Sequence, residues 1–315
     1  MFILGITSST IKPIPLTKDV YSSGYRQPNS KLCSKVNHDL LALMMVTSAP
    51  GNFVDRQSVR DTWGTLVNRS DIVLGFVIGV TFNENYEEDL ENENKIYGDL
   101  IRSNSVDSYK NLTLKSLSIL EWASTYCRNA KFLIKTDDDI FINIRRVLKF
   151  MENHNNSSRM IFGDVAVEWT PERNERSKWH LPKHSFESDI LPNFTRGAIY
   201  VITRDIIDDL YITALETPFL WLEDVFVTGV VAEKLGISHK KIGTVVLNNK
   251  FLFKYHCKLK EITAIYEVEA LDKIDYWRVL ENSDKKLSHT RWWRILGVCD
   301  VTQTTRTSGH PVLPW

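Results

Sequence analysis

Three consecutive carboxylates, Asp137, Asp138 and Asp139, interrupt an apolar run in KFLIKTDDDIFIN, residues 131–143. If residues 135–139 are extended, Asp137 and Asp139 point to one side and Asp138 to the other. Two carboxylates on one side are hard oxygen donors for Mg²⁺ or Mn²⁺, and such an ion is readily shared with a substrate diphosphate. A solvated acidic loop is the alternative, but the apolar flanks FLI and IFI leave little room for one. Phosphotransfer on a D-x-D-x-[TV] pattern would need Thr or Val where Phe141 stands. Neither a G-x-x-x-x-G-K-[ST] phosphate loop nor a G-x-G-x-x-G dinucleotide fingerprint occurs. Two further groups carry charge at suggestive spacings. Glu223 and Asp224 open EDVFVTGVVAEKLGI, where a carboxylate either caps a helix or serves as a base. Arg56 and Arg60 lie one helical turn apart and share a face, and guanidinium suits phosphate or base contact.

The elements that must position these residues read as α/β. The run Leu40–Val46 is continuously apolar, as in a strand covered on both faces, and DIVLGFVIGV at 71–80 has the same character. Between them DRQSVRDTWGTL has helical spacing, so strand, helix and strand suggest a parallel unit. YEEDLENENKIYGDLI reads as an acidic surface stretch entering a strand, and NLTLKSLSILEWASTYC as a core helix. KFLIKT is the next strand, which places the three carboxylates at its carboxyl end, where open α/β sheets bind ligands. RMIFGDV and GAIYVIT are expected strands separated by a polar loop. RDIIDDLYITAL and EDVFVTGVVAEKLGI are expected helices, the second ending at Gly236. From about residue 260 the chain reads as helical and then fades into a polar tail. Residues 1–37 lack periodicity and read as a flexible stem, leaving 38–260 as the folded domain that carries the candidate site and 261–315 as a C-terminal helical extension and tail.

Composition limits the partners. Lys plus Arg and Asp plus Glu are 39 each, so no global field favours nucleic acid or an anionic membrane. Nine Trp and eleven Tyr offer faces for sugars as well as cores. Cys33, Cys127, Cys257 and Cys299 form no C-x-x-C pair, which argues against a zinc site. Sequons at Asn68, Asn111, Asn155, Asn156 and Asn193 lean toward a secretory lumen. The N-terminal MFILGI is too short for a bilayer span of about 20 residues.

Eight motifs in a fixed order resemble the inverting beta-1,3-galactosyltransferase family, which includes beta-1,3-N-acetylhexosaminyltransferases. They are RQSVRDTWG (56–64), FVIG (76–79), ENKIYGDLI with DSYKNLTLK (93–115), FLIKTDDDIFIN (132–143), FGDV (162–165), KW (178–179), LPNFTRGAIY (191–200) and EDVFVTGVVAEKLGI (223–237). The resemblance implies a GT-A type fold, a Rossmann-like central sheet flanked by helices. It implies transfer of galactose or an N-acetylhexosamine from a UDP-sugar to a glycan on protein or lipid, assisted by Mn²⁺ or Mg²⁺. Asp139 is then the first metal ligand, Asp137 reaches the ribose or the metal, and Asp138 supports them. His256 in KYHC is similar to a late metal ligand of such enzymes. Arg56 and Arg60 would lie along the nucleotide, and Asp224, with Glu223 as the fallback, would be the base. Lys178 and Trp179 belong to the substrate side, with Trp179, Phe194 and Tyr200 as acceptor-side aromatics. Leu191 and Phe194 depart from the family's [YW]-P-x-Y pattern. The resemblance pairs Cys33 with Cys127 and Cys257 with Cys299, and it implies a Golgi type II membrane protein, whose anchor this sequence does not display. A glycan-binding protein without catalysis and a metal-dependent nucleotide-sugar hydrolase stand as alternatives.

Overall fold

The computed structural model describes residues 14–34, 40–248 and 259–284. In chain order its strands are β1 (Tyr25–Gln27), β2 (Leu40–Thr47), β3 (Ile72–Val80), β4 (Leu100–Val106), β5 (Ala130–Asp137), β6 (Phe141–Ile142), β7 (Met160–Ala166), β8 (Phe194–Thr203), β9 (Ser238–Lys241), β10 (Thr244–Leu247) and β11 (Ile262–Tyr266). The helices are α1 (Thr17–Val20), α2 (Lys31–Ser34), α3 (Phe53–Asp61), α4 (Glu84–Tyr97), α5 (Leu112–Tyr126), α6 (Ile144–Asn153), α7 (Ile207–Leu215), α8 (Ala232–Lys234) and α9 (Ala270–Asp284). A π-helical segment, Val225–Val231, runs directly into α8.

The result is a mixed α/β fold with a large central sheet flanked by helices. Its strand order is β1-β4-β3-β2-β5-β8-β7-β9, and β10-β11-β6 form a smaller sheet. β2, β3, β4 and β5 are mutually parallel where they pair, whereas β8 is antiparallel to both β5 and β7. From β2 the chain first builds outward through β3 to β4 and then returns to add β5 on the other side. That reversal makes a crevice at the carboxyl ends of β2 and β5, where Thr47 lies opposite Asp137.

Both faces of the sheet are covered, which explains the continuous apolar runs. Along β2, Leu43 and Met45 enter one core with Trp122 of α5, while Ala42, Met44 and Val46 enter the other with Trp63 and Phe76. All nine residues of β3 are buried. The Cys33–Cys127 disulfide, 5.5 Å between Cα atoms, ties α2 to the end of α5.

Two expectations change, and two helices join the expected elements. YEEDLENENKIY, the acidic surface stretch that enters β4, is helix α4, started by the Asn83 side chain accepting from Asn85 N–H and stopped by Gly98 at φ 65°. Leu90 and Glu93 are its buried residues, so it displays too narrow an apolar stripe for periodicity to find. Residues 14–34 of the expected flexible stem are docked: β1 pairs antiparallel with β4, and Tyr21 is buried. EITAIY is strand β11 rather than helix, and it pairs with β6, so the packed body continues past 260. Helix α6 is the second added helix, its Ile144, Val147, Leu148 and Met151 burying a regular stripe.

Candidate functional site

The strand β5 ends at Asp137, and Asp138 and Asp139 lie in the turn that follows. The alternation expected for an extended 135–139 therefore stops after Asp137, and the three carboxylates take three environments. Asp137 Oδ1 accepts from the Thr47 hydroxyl and faces Lys135 Nζ at 2.8 Å. Asp138 is buried, and its Oδ2 accepts from Ser48 Oγ at 2.6 Å and Asn52 Nδ2 at 3.0 Å. Burial pushes its carboxyl above the usual range, opposed by those two donors. Asp139 is exposed, and no side chain among the described residues donates to it. Partial desolvation, then Asp137 and Asp138, push its carboxyl up to about 6.

Lys135 is the hub behind this turn. It stands opposite Tyr200 on β8, buried, with Asp137 on one side and Glu223 Oε2 at 3.3 Å on the other. Burial alone would lower the lysine, but Asp137 and Glu223 more than reverse it and hold the ammonium charged. Glu223 also accepts from Tyr200 Oη at 2.5 Å, so its two oxygens are committed to buried donors. Its neighbour Asp224 is held differently. Asp224 Oδ1 accepts from Val225 N–H at 2.8 Å and Oδ2 from Gly197 N–H at 3.1 Å, which fixes the carboxylate at the start of the π-helical segment. Desolvation, then the Glu223 charge, push Asp224 up to about 6, a value suited to taking a proton near neutral pH.

Arg56 and Arg60 form a buried network rather than an open phosphate clamp. Arg56, 1% exposed, pairs with Glu93 Oε2 at 2.6 Å and donates to Ser48 Oγ, the Ala49 carbonyl and the Pro50 carbonyl. Arg60 bonds Glu93 and Asp99 and lies against the rings of Tyr97 and Phe76. Through Ser48, Arg56 reaches Asp138, and Lys115 Nζ donates to the Ser48 carbonyl at 2.9 Å. These cations shape the β2–α3 loop that forms one wall of the crevice.

A sequence model described as galactosyltransferase matches residues 54–243, more than half of the chain. The chain belongs to the galactosyltransferase family. Among its relatives, beta-1,3-galactosyltransferase 5 of Homo sapiens is 30% identical over 245 residues, covering 76% of this chain and 78% of that protein. Beta-1,3-galactosyltransferase 1 of Mus musculus is 33% identical over 234 residues, covering 73% and 70%. A solved glycosyltransferase involved in the glycosylation of the major capsid of PBCV-1 covers 75% of this chain and 98% of that chain at 9% identity and TM-score 0.39.

In this galactosyltransferase family member the donor set around the turn suits a hard divalent cation. Asp137 and Asp138 have protein partners, while Asp139 keeps an open carboxylate in a local excess of negative charge. Among the described residues no group of three or more His, Cys, Asp or Glu is arranged to hold a metal ion. His256, Cys257 and Cys299 lie outside the described residues.

Of the expected acceptor-side aromatics, only Trp179 is open, at 48% exposure; Phe194 and Tyr200 are core residues. Lys178 lies over the Trp179 ring at 4.5 Å and near Glu267 at 3.9 Å. Tyr109, which the motif DSYKNLTLK carries without a role assigned, accepts a hydrogen bond from Trp179, lies 6.0 Å from the Trp221 ring, and feels the charges of Asp224 and Asp137. Leu191 is buried, and Phe194 packs edge-on against Trp169 at 5.8 Å. Asn155, Asn156 and Asn193 are exposed, Asn111 is half-buried with its amide donating to the Val106 carbonyl, and Asn68 closes a 3₁₀ turn. Among the described residues no helix is long and apolar enough to cross a membrane.

The signal for Lys135 was present in the sequence: a lysine inside an apolar strand needs a buried anion. Which anion it meets depends on β8 and the Glu223 segment arriving from far along the chain.

Proposed function

We propose that this galactosyltransferase family member transfers galactose, or an N-acetylhexosamine, from a UDP-sugar to a glycan hydroxyl in beta-1,3 linkage, with inversion. The observation that carries the reading is the division between Glu223 and Asp224. Glu223 is tied to Lys135 and Tyr200, whereas Asp224 is fixed by two backbone N–H groups and held near pH 6. The relatives named beta-1,3-galactosyltransferase support the linkage and the galactosyl donor.

In this reading Asp139 is the principal ligand of Mn²⁺ or Mg²⁺ and Asp137 the second, with His256 as a further candidate. When bound, the cation supplies Lewis-acid neutralisation of charge on the departing diphosphate. Asp224 accepts the proton of the attacking hydroxyl at a carboxylate oxygen, so that the acceptor approaches opposite the leaving UDP. Lys135 pairs with both Asp137 and Glu223 and so fixes the spacing between donor turn and base. Ser48, Asn52 and Arg56 hold Asp138 and the nucleotide-side loop. Trp179 and Tyr109 offer faces to a sugar ring. The family's setting, a Golgi membrane or lumen, is part of the proposal.

Purified protein is assayed for UDP release from UDP-galactose, UDP-N-acetylglucosamine and UDP-N-acetylgalactosamine, with and without an acceptor glycan panel, in Mn²⁺ and in EDTA. Acceptor-dependent, EDTA-sensitive release is expected. Release without acceptor marks a hydrolase, and UDP binding without turnover across the panel marks a binding protein; either overturns the proposal.

A further inference from the structure

The segment beyond Ile262 lies outside the family match at 54–243, yet it encloses the turn that carries Asp138 and Asp139. β11 pairs with β6, placing Ala264 opposite Ile142 and Ile265 opposite Phe141, immediately after the turn. Val268 N–H then donates to the Asp139 carbonyl at 2.7 Å. Helix α9 follows and packs across α3, with the Tyr276 ring 5.4 Å from that of Phe141. At its inner face Lys273 is 0% exposed. Lys273 Nζ donates to Asp55 Oδ1 at 3.1 Å and Ser58 Oγ at 3.2 Å, both on α3. The residue just before α3, Asn52, holds Asp138. The donor turn is thus bounded by α9 and α3, and one buried ammonium joins the two.

An apolar side chain would fill that position without the desolvation cost of a charge. The charge itself therefore needs a reason beyond packing. Its surroundings are acidic: Asp55 is in contact, and the field of Lys273 reaches the Asp139 carboxylate. Those carboxylates attract a cation, but they repel the diphosphate that must share the site.

We propose that Lys273 is a positioning residue of the donor site, whose buried charge offsets Asp55 and Asp139 so that the crevice takes a nucleoside diphosphate together with its cation. The inference rests on the UDP-sugar reading above. It gives the C-terminal unit a task in donor binding, carried out through the carboxylates and not by contact with the sugar.

The test uses the full chain carrying Lys273→Met, Lys273→Arg or Asp55→Asn. Mn²⁺ binding alone is followed by electron paramagnetic resonance, and UDP binding in saturating Mn²⁺ by calorimetry. Removing one buried charge that acts through a medium of intermediate dielectric changes affinity roughly five-fold. Lys273→Met is expected to weaken UDP by about that factor while Mn²⁺ alone binds as tightly or more tightly, and Lys273→Arg to restore UDP. A purely structural lysine would weaken both ligands together or neither, and either result overturns the proposal. Asp55→Asn, at a partly exposed carboxylate, decides the matter should Lys273→Met fail to fold: tighter UDP supports the proposal, and unchanged or weaker UDP overturns it. Wild-type protein that binds no UDP with Mn²⁺ sinks the donor reading itself and this inference with it. Wild-type binding with unaltered variants sinks this inference alone.

Discussion

Glu223 and Asp224 are sequence neighbours with opposite assignments, and single substitutions should separate them. Glu223→Ala removes a buried carboxylate that accepts from Tyr200 at 2.5 Å and faces Lys135 at 3.3 Å. Breaking a buried ion pair from one side costs about 3–5 kcal/mol, because the surviving charge stays desolvated. Lys135 keeps Asp137 at 2.8 Å, which places the expected cost near the lower end, at about 3 kcal/mol. For a domain of this size each kcal/mol shifts Tm by about 2–4 °C, so calorimetry should record a fall of about 6–12 °C. Asp224→Asn keeps the size of the side chain and an oxygen for Val225 N–H. Its native carboxyl is raised by burial, which favours a neutral side chain, while the new amide nitrogen loses the bond from Gly197 N–H, so the two effects offset and Tm should change by only a few degrees. Turnover should nonetheless fall about 10²–10⁴-fold, the usual worth of a general base. The reasoning is refuted if Glu223→Ala melts like wild type, or if Glu223→Gln abolishes turnover while Asp224→Asn retains it.

Three further outcomes follow from the same geometry. Asp224 must be ionised to accept a proton, and its carboxyl sits at about 6, so kcat/KM should hold above pH 6 and fall below it; Asp224→Asn should abolish this limb in any residual activity. On stability the sign is reversed, because a raised carboxyl binds its proton more tightly in the folded state, so this residue's contribution improves as pH falls from 6 toward 4. Arg56→Lys loses the two-pronged contact with Glu93 and the donors to Ser48, Ala49 and Pro50; denaturant melts should show a loss of about 2–4 kcal/mol and calorimetry a weaker UDP affinity. Gly79→Ala would set a Cβ 2.6 Å from the Ser105 carbonyl and 2.9 Å from the Asp107 backbone, so Tm should fall and the Gly79 N–H bond to Asp107 should loosen in hydrogen exchange.

The parts of the fold legible in the sequence were those whose burial is symmetric. β2, β3 and β5 are covered on both faces and so announced themselves as unbroken apolar runs. Asp137 at the end of β5 was legible because carboxylates rarely end a buried strand without a task. Helix α4 was hidden because it rests on the sheet through little more than Leu90 and Glu93, and its polar faces erase the period. β1 was hidden because three residues with a turn glycine become a strand only when the edge of β4 is already there. At the site, charge and spacing revealed which residues matter but not what they face. Arg56 and Arg60 share a face as expected, yet that face meets Glu93 and Asp99 arriving from α4 and the approach to β4. Lys135, Tyr200 and Glu223 meet only through β8 and the segment before the π-helical turn, a conjunction that no local pattern encodes.

The most direct test of the central claim is the anomeric configuration and linkage of the product, read by proton NMR on the glycan formed from α-linked UDP-galactose in Mn²⁺. A β-configured galactose on the acceptor's 3-position is predicted, since one displacement with Asp224 as base inverts the anomeric carbon once. An α-configured product would require two displacements or front-face attack, and it would contradict the role assigned to Asp224.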